Sequence, residues 1–114
     1  MATRESDHFK GKDPVVQAIY DRLLKACKKF GPVAIEPKLT SIHLVSRYAF
    51  AGVYTRSDYL RLELHLSKPL ESKRVVKVEK ASANRFHHTI KLSSVKEVDA
   101  ELIGWLQDAY KLKS

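Results

Sequence analysis

Four side chains of this chain could do chemistry together: His43, Glu63, His65 and His87. Imidazole is the commonest protein metal ligand, and a carboxylate beside it extends a donor set of the kind zinc takes, with donors converging near ~2 Å. Glu63 and His65 stand two residues apart, so a strand would show both on one face. His87 belongs to the stretch RFHHTIKL, beside His88. In a strand those neighbours leave opposite faces and are not a pair in space. His88 travels with Phe86, Ile90 and Leu92 toward a covered face, where a hydrogen-bonded core histidine is expected. His87 travels outward with Arg85, Thr89 and Lys91. No HExxH spacing is present, so neither a metal nor a cofactor is assigned from the sequence.

Other chemistry is poorly served. Cys27 lies among the apolar residues of a helical segment, where a thiol is ordinarily a small core residue. As the only cysteine it excludes an internal disulfide and a multi-cysteine zinc site, and it fits a reducing compartment. No GxSxG elbow occurs. The four glycines, Gly11, Gly31, Gly52 and Gly104, build no phosphate loop. Gly104 costs about 1 kcal/mol inside a helix relative to alanine, and tight helix packing is the expected reason for it. No catalytic residue is assigned, and an enzyme is not the expected reading.

These side chains need elements to position them. Asp13-Pro14 starts a helix, with an acidic N-cap and proline at the first position. Its apolar residues run from Val15 and Val16 to Phe30 at three- and four-residue spacing, and Gly31-Pro32 stops it. The period then changes to two. VAIEP, TSIHLV, AFAGVYT, YLRLELHLS, RVVKVEKA and RFHHTIKL read as strands, the clearest being the one with Leu60, Leu62, Leu64 and Leu66 on one side. Ser94 and Glu97 form a capping box for a last helix whose stripe runs from Val95 to Tyr110. Residues 1–12 read as a polar, loosely ordered lead-in, and 13–114 as one α+β domain. Short connections favour a mostly antiparallel sheet of about five or six strands. The N- and C-terminal helices would cover one face of it, giving a two-layer sandwich with the other face open.

Alternation sorts the open face. Ser41, His43, Tyr59, Arg61, Glu63, His65, Lys77, Glu79, Arg85, His87, Thr89 and Lys91 point outward. Phe50 and Tyr54 join them if Ala49 and Ala51 take the helix side. Aromatics among cations can stack and neutralise a single strand of nucleic acid, so Tyr54, Tyr59, Arg61, Lys77, Arg85, His87 and Lys91 are the candidate ligand-face residues. The competing account is a solvated face of cross-strand ion pairs, each worth only ~0–1 kcal/mol.

The 114-residue chain has a formal charge of +8, with acidic and basic residues interspersed. The surplus is uneven: Lys68 to Lys91 holds seven cations and two carboxylates, whereas Ser94 to Tyr110 holds one cation and four carboxylates. An acidic ligand would therefore meet the strands and not the last helix. No apolar run reaches spanning length and the N-terminus has no apolar signal core, so no membrane partner and a cytoplasmic location are expected.

The blocks HFKGKDPVVQAIYDRLL, FGPVAIEPKLTSIHLVSRYAFAGV, YLRLELHLSKPL, RFHHTIKLSS and VDAELIGWLQDAY, in that order, resemble the domain-of-unknown-function family 5655 from His8 to about Lys111. The resemblance brings no catalytic residues with it. Similar domains in longer proteins look like C-terminal accessories to nuclease or transport-type proteins, which implies an interaction module. The helix–sheet–helix order also looks like the frataxin-type sandwich of YjbR-like proteins. That likeness implies the fold and favours DNA contact. An acidic iron-binding helix is not matched, because Arg22, Lys25, Lys28 and Lys29 outnumber Asp21.

Three readings follow. The first is a small non-enzymatic binding module with nucleic acid as the leading ligand. The second is a protein-interaction or dimerisation module using a sheet edge or the Gly104–Trp105 region. The last is a metal-dependent enzyme centred on His43, Glu63, His65 and His87.

Overall fold

The Asp13 carboxylate accepts a hydrogen bond from the Val15 amide at 3.0 Å and caps α1, Pro14–Lys28. Val16, Ile19, Tyr20, Leu23, Ala26 and Cys27 form its buried face. Gly31, at φ +151°, ends the segment where Tyr110 of the last helix comes close: a Cβ there would lie 2.5 Å from the Tyr110 hydroxyl oxygen. That ring is fixed by contacts with Phe30 and Phe50 and by a hydrogen bond from its hydroxyl to the Pro32 carbonyl.

The computed structural model describes residues 4–113. Six strands follow α1: β1 (Ala34–Pro37), β2 (Ile42–Val45), β3 (Ala49–Thr55), β4 (Leu60–Leu66), β5 (Val75–Ser82) and β6 (Arg85–Leu92). They form one antiparallel sheet in the order β1-β2-β3-β4-β6-β5. α2, Ala100–Lys113, packs with α1 over one face. The core between the layers holds Leu60, Leu62, Leu64, Ile90 and Leu92 of the sheet against Ile19, Leu23, Leu102 and Leu106 of the helices. The architecture is the α+β two-layer sandwich, with the second sheet face left open.

Several local expectations change. The lead-in is packed from Glu5 onward, because Glu5–Phe9 forms a 3₁₀ turn that buries His8 and sets Phe9 against Tyr20, ring centres 5.1 Å apart. Thr55 donates to the His8 carbonyl at 2.6 Å, the Asp13 amide donates to the Ser57 carbonyl at 2.7 Å, and the Tyr20 hydroxyl donates to the Glu5 carboxylate. Residues 1–3 of that lead-in, and Ser114, lie outside the described residues.

The last helix begins later than the capping box implies. Glu97 accepts from the Ser93 and Ser94 amides, but the turn they close is the 3₁₀ segment Val95–Glu97. Asp99 then caps α2, accepting from the Leu102 amide at 3.0 Å. Arg74, just before β5, bridges Asp99 and Glu101, donates to the Glu97 carbonyl and lies over the Trp105 ring, tying that end of the sheet to the start of α2.

Two residues sorted outward are inside. Ser41 precedes β2 and is buried. Phe50 is fully buried against Tyr110, at 5.3 Å between ring centres, because the β2–β3 register slips between Leu44 and Val45 and the bulge turns Phe50 to the helix side. Gly104 has no close neighbour: a Cβ there would meet nothing within 4 Å, so tight packing does not account for it.

Candidate functional site

Pairing converts the alternation of each strand into rows across the open face. One row runs His43–Gly52–Glu63–Thr89–Lys77, a second His65–His87–Glu79, and a third Tyr54–Arg61–Lys91. The covered side of the same strands carries the leucines, so the period of two both fills the core and exposes these groups.

The first two rows bring Glu63, His65 and His87 together. His65 and His87 are direct cross-strand partners on β4 and β6, and their rings stack at 4.2 Å with 17° between planes. Both aim a nitrogen at one carboxylate oxygen: His65 Nε2 lies 3.6 Å and His87 Nδ1 3.3 Å from Glu63 Oε1. The neighbouring His65 imidazole holds the Glu63 carboxyl below its ordinary pKa against the opposing effect of burial, and His87 adds to the lowering. One ligand atom from each of the three residues lies within 4.8 Å of the other two. Such a set can share a proton or converge on a cation.

His43 stands one strand farther away, across Gly52. A Cβ at Gly52 would sit 3.4 Å from the Tyr54 ring and 3.9 Å from both Glu63 Cβ and His43 Cδ2. The missing side chain leaves a cleft of about 230 Å³ whose walls include His43, Tyr54, Glu63, His65 and His87. Gly52 has a role that alternation did not reveal. The signal was available: a glycine in a strand interior marks a close approach or a space.

The third row joins cations to rings. Arg61 lies over Tyr54 at 4.8 Å from the ring centre, and Lys91 over Tyr59 at 4.6 Å. Among the described residues no carboxylate lies within ion-pair distance of Arg61 or Lys91, whereas Lys77 is paired with Glu79. Lys77, Arg61, Glu63 and His87 line a second hollow of about 370 Å³, between β4 and β5 over β6. Arg85 stands apart at the other end of β6, where it donates to the Asn84 carbonyl. Four of the seven ligand-face candidates, Tyr54, Tyr59, Arg61 and Lys91, therefore form one patch; His87 belongs to the histidine cluster, Lys77 borders both across the second hollow, and Arg85 is not brought to the patch. A larger hollow, about 510 Å³, lies on the helix side between Leu66, Leu70 and Leu112, away from all of these groups.

His88 faces the other way and is fully buried. Its Nε2 accepts from the Leu70 amide at 2.9 Å, and its Nδ1 donates to the Phe86 carbonyl at 3.2 Å. Burial lowers its pKa, and the partners define a neutral ring with the proton on Nδ1. The histidine doublet is thus one core residue and one surface residue.

Fold and face together define an open-faced α+β sandwich, a class of domain that hosts unrelated functions. The family model described as Domain of unknown function (DUF5655) matches residues 5–113, and the chain belongs to that family. No curated protein and no solved structure matches the chain, so the frataxin-type likeness rests on element order. Among the described residues, no helix is long and apolar enough to cross a membrane.

Proposed function

We propose that this domain is a non-catalytic binding module whose open sheet face takes a phosphate-bearing single strand of nucleic acid. The observation that carries the reading is the patch of Tyr54, Arg61, Lys91 and Tyr59, in which two cations sit over rings and, among the described residues, neither has a carboxylate within ion-pair distance. The outer plane of a guanidinium laid on tyrosine is a platform for a base, and an exposed lysine beside it suits a phosphate. The formal charge of +8 supplies long-range attraction. An open sheet face also suits a polymer better than a small substrate, which needs walls.

Labelled single- and double-stranded DNA and RNA, titrated in chelator at about 50 and 200 mM salt, test the reading. If Arg61, Lys77, Arg85 and Lys91 each meet a phosphate of a single strand, affinity falls roughly 50-fold across that interval. Replacing Arg61 and Lys91 by glutamine flattens the logarithmic salt slope by about 1.4. Absence of binding at the lower salt removes the proposal.

Self-association is the second reading, favoured by one feature. β5 is an eight-residue edge strand on which Val76 and Val78 are 63% and 39% exposed. Lys77, Glu79 and Lys80 on the same strand are the charges that guard edges against pairing. Sedimentation decides it, since a strict monomer at high concentration leaves the edge unused.

A further inference from the structure

We propose that Glu63, His65 and His87 form a site for one divalent transition-metal ion of the zinc class. The inference is independent of nucleic-acid binding, because it rests on three side chains outside the Tyr54–Arg61–Lys91 row. The two histidines come from paired strands and meet the same carboxylate oxygen at 3.6 and 3.3 Å. Donors bound at ~2.05 Å in a tetrahedron stand roughly 3.3–3.4 Å from one another. The two nitrogen–oxygen separations are close to those of a formed ligand set, and one donor atom from each of the three residues already lies within 4.8 Å of the others.

The backbone is suited to hold such a set. Three donors come from two directly paired strands, so their Cα positions are fixed by sheet hydrogen bonds and not by a loop. The three side chains are half-buried, at 19–35% exposure, so water reaches the site without flooding it. Gly52 keeps the adjoining space clear toward His43 and Tyr54, leaving a fourth coordination position. Two imidazoles and one carboxylate select zinc-like ions over magnesium or calcium, which take oxygen donors. The rival account is that the three groups share a proton, the carboxylate serving only as an acceptor for the imidazoles.

The two accounts differ in a direct measurement. The full chain, prepared without a histidine tag and stripped with chelator, is titrated with Zn²⁺ against a chromophoric competitor and with Co²⁺ by visible absorption. The metal account expects one ion per chain, Co²⁺ bands of tetrahedral intensity, and Zn²⁺-dependent shifts of the His65 and His87 ring resonances. Glu63→Gln, His65→Ala and His87→Ala should each weaken binding by more than about tenfold. The ring-resonance measurement uses the unaltered chain, so it stands even where a variant folds poorly. Absence of saturable binding overturns the proposal, as does equal affinity in folded variants lacking either histidine. Because this titration contains no nucleic acid and the other contains chelator, each proposal fails on its own.

Discussion

Replacing His88 by leucine gives a test whose size follows from two hydrogen bonds. The ring is fully buried, accepts from the Leu70 amide at 2.9 Å and donates to the Phe86 carbonyl at 3.2 Å. Leucine nearly fills the space but leaves the Leu70 amide without this partner, at a cost of about 1–3 kcal/mol. For a chain of this length that is a fall in melting temperature of roughly 4–12 °C. The pH dependence has a definite sign. Burial holds the folded ring below its ordinary value of 6.5, so the unfolded chain binds the proton more readily. The ring's contribution is complete above 6.5 and is lost as pH falls from there through the folded pKa. Its slope cannot exceed about 1.4 kcal/mol per pH unit. Urea unfolding of both proteins at several pH values between 7 and 5 isolates the residue, since other titrating groups are common to the two. The parent should lose stability faster on acidification than His88→Leu, and the gap between them should narrow. Parallel pH curves for the two proteins would refute the reasoning, as would ¹⁵N shifts placing the neutral proton on Nε2.

Two glycines should respond with opposite signs. Gly104→Ala should stabilise the chain by about 1 kcal/mol in denaturant unfolding, because a Cβ there meets nothing within 4 Å and the helix gains alanine's propensity. Gly31→Ala should destabilise it, because the backbone is at φ +151° and the new carbon would lie 2.5 Å from the Tyr110 hydroxyl oxygen. Cys27 is fully buried, and desolvation pushes its thiol up to about 12, so an aromatic disulfide reagent at pH 8 should label it only at the rate at which the chain opens. Fast labelling of the native chain would contradict that placement.

The parts legible in the sequence are those that depend on period alone. The run from Leu60 to Leu66 alternates so strictly that its burial could be written down directly, and the opposite placements of His87 and His88 follow from adjacency in a strand. What failed depended on local departures from period. Phe50 was sorted by strict alternation, and one bulge between β2 and β3 reverses it. The capping signal of Ser94 and Glu97 was real, but a cap marks the end of any helical turn, and here the turn is a 3₁₀ segment with a second cap at Asp99. The packing of Glu5–Phe9 was not legible, because a five-residue 3₁₀ turn is too short to show a period and the burial of His8 leaves no pattern in the sequence.

The meeting of His65 with His87 lies between these cases, because it turns on strand order. Sequential hairpins alone would set β5 beside β4. Composition argues for the order found: β6 places Phe86, His88, Ile90 and Leu92 on its covered side and needs an interior position, whereas β5 alternates valine with Lys77 and Glu79 and suits an edge. An edge strand must then be followed by a chain that turns inward, and the crossover from β4 through Lys68–Pro69 carries the chain past the vacant place to β5. β6 fills that place, and His87 falls opposite His65. With β5 inside, the two imidazoles would stand about 9–10 Å apart across an intervening strand, too far to share either a proton or a metal ion through Glu63. The exposed valines of β5 and the histidine cluster of β4 and β6 are therefore consequences of one choice, the strand left at the edge.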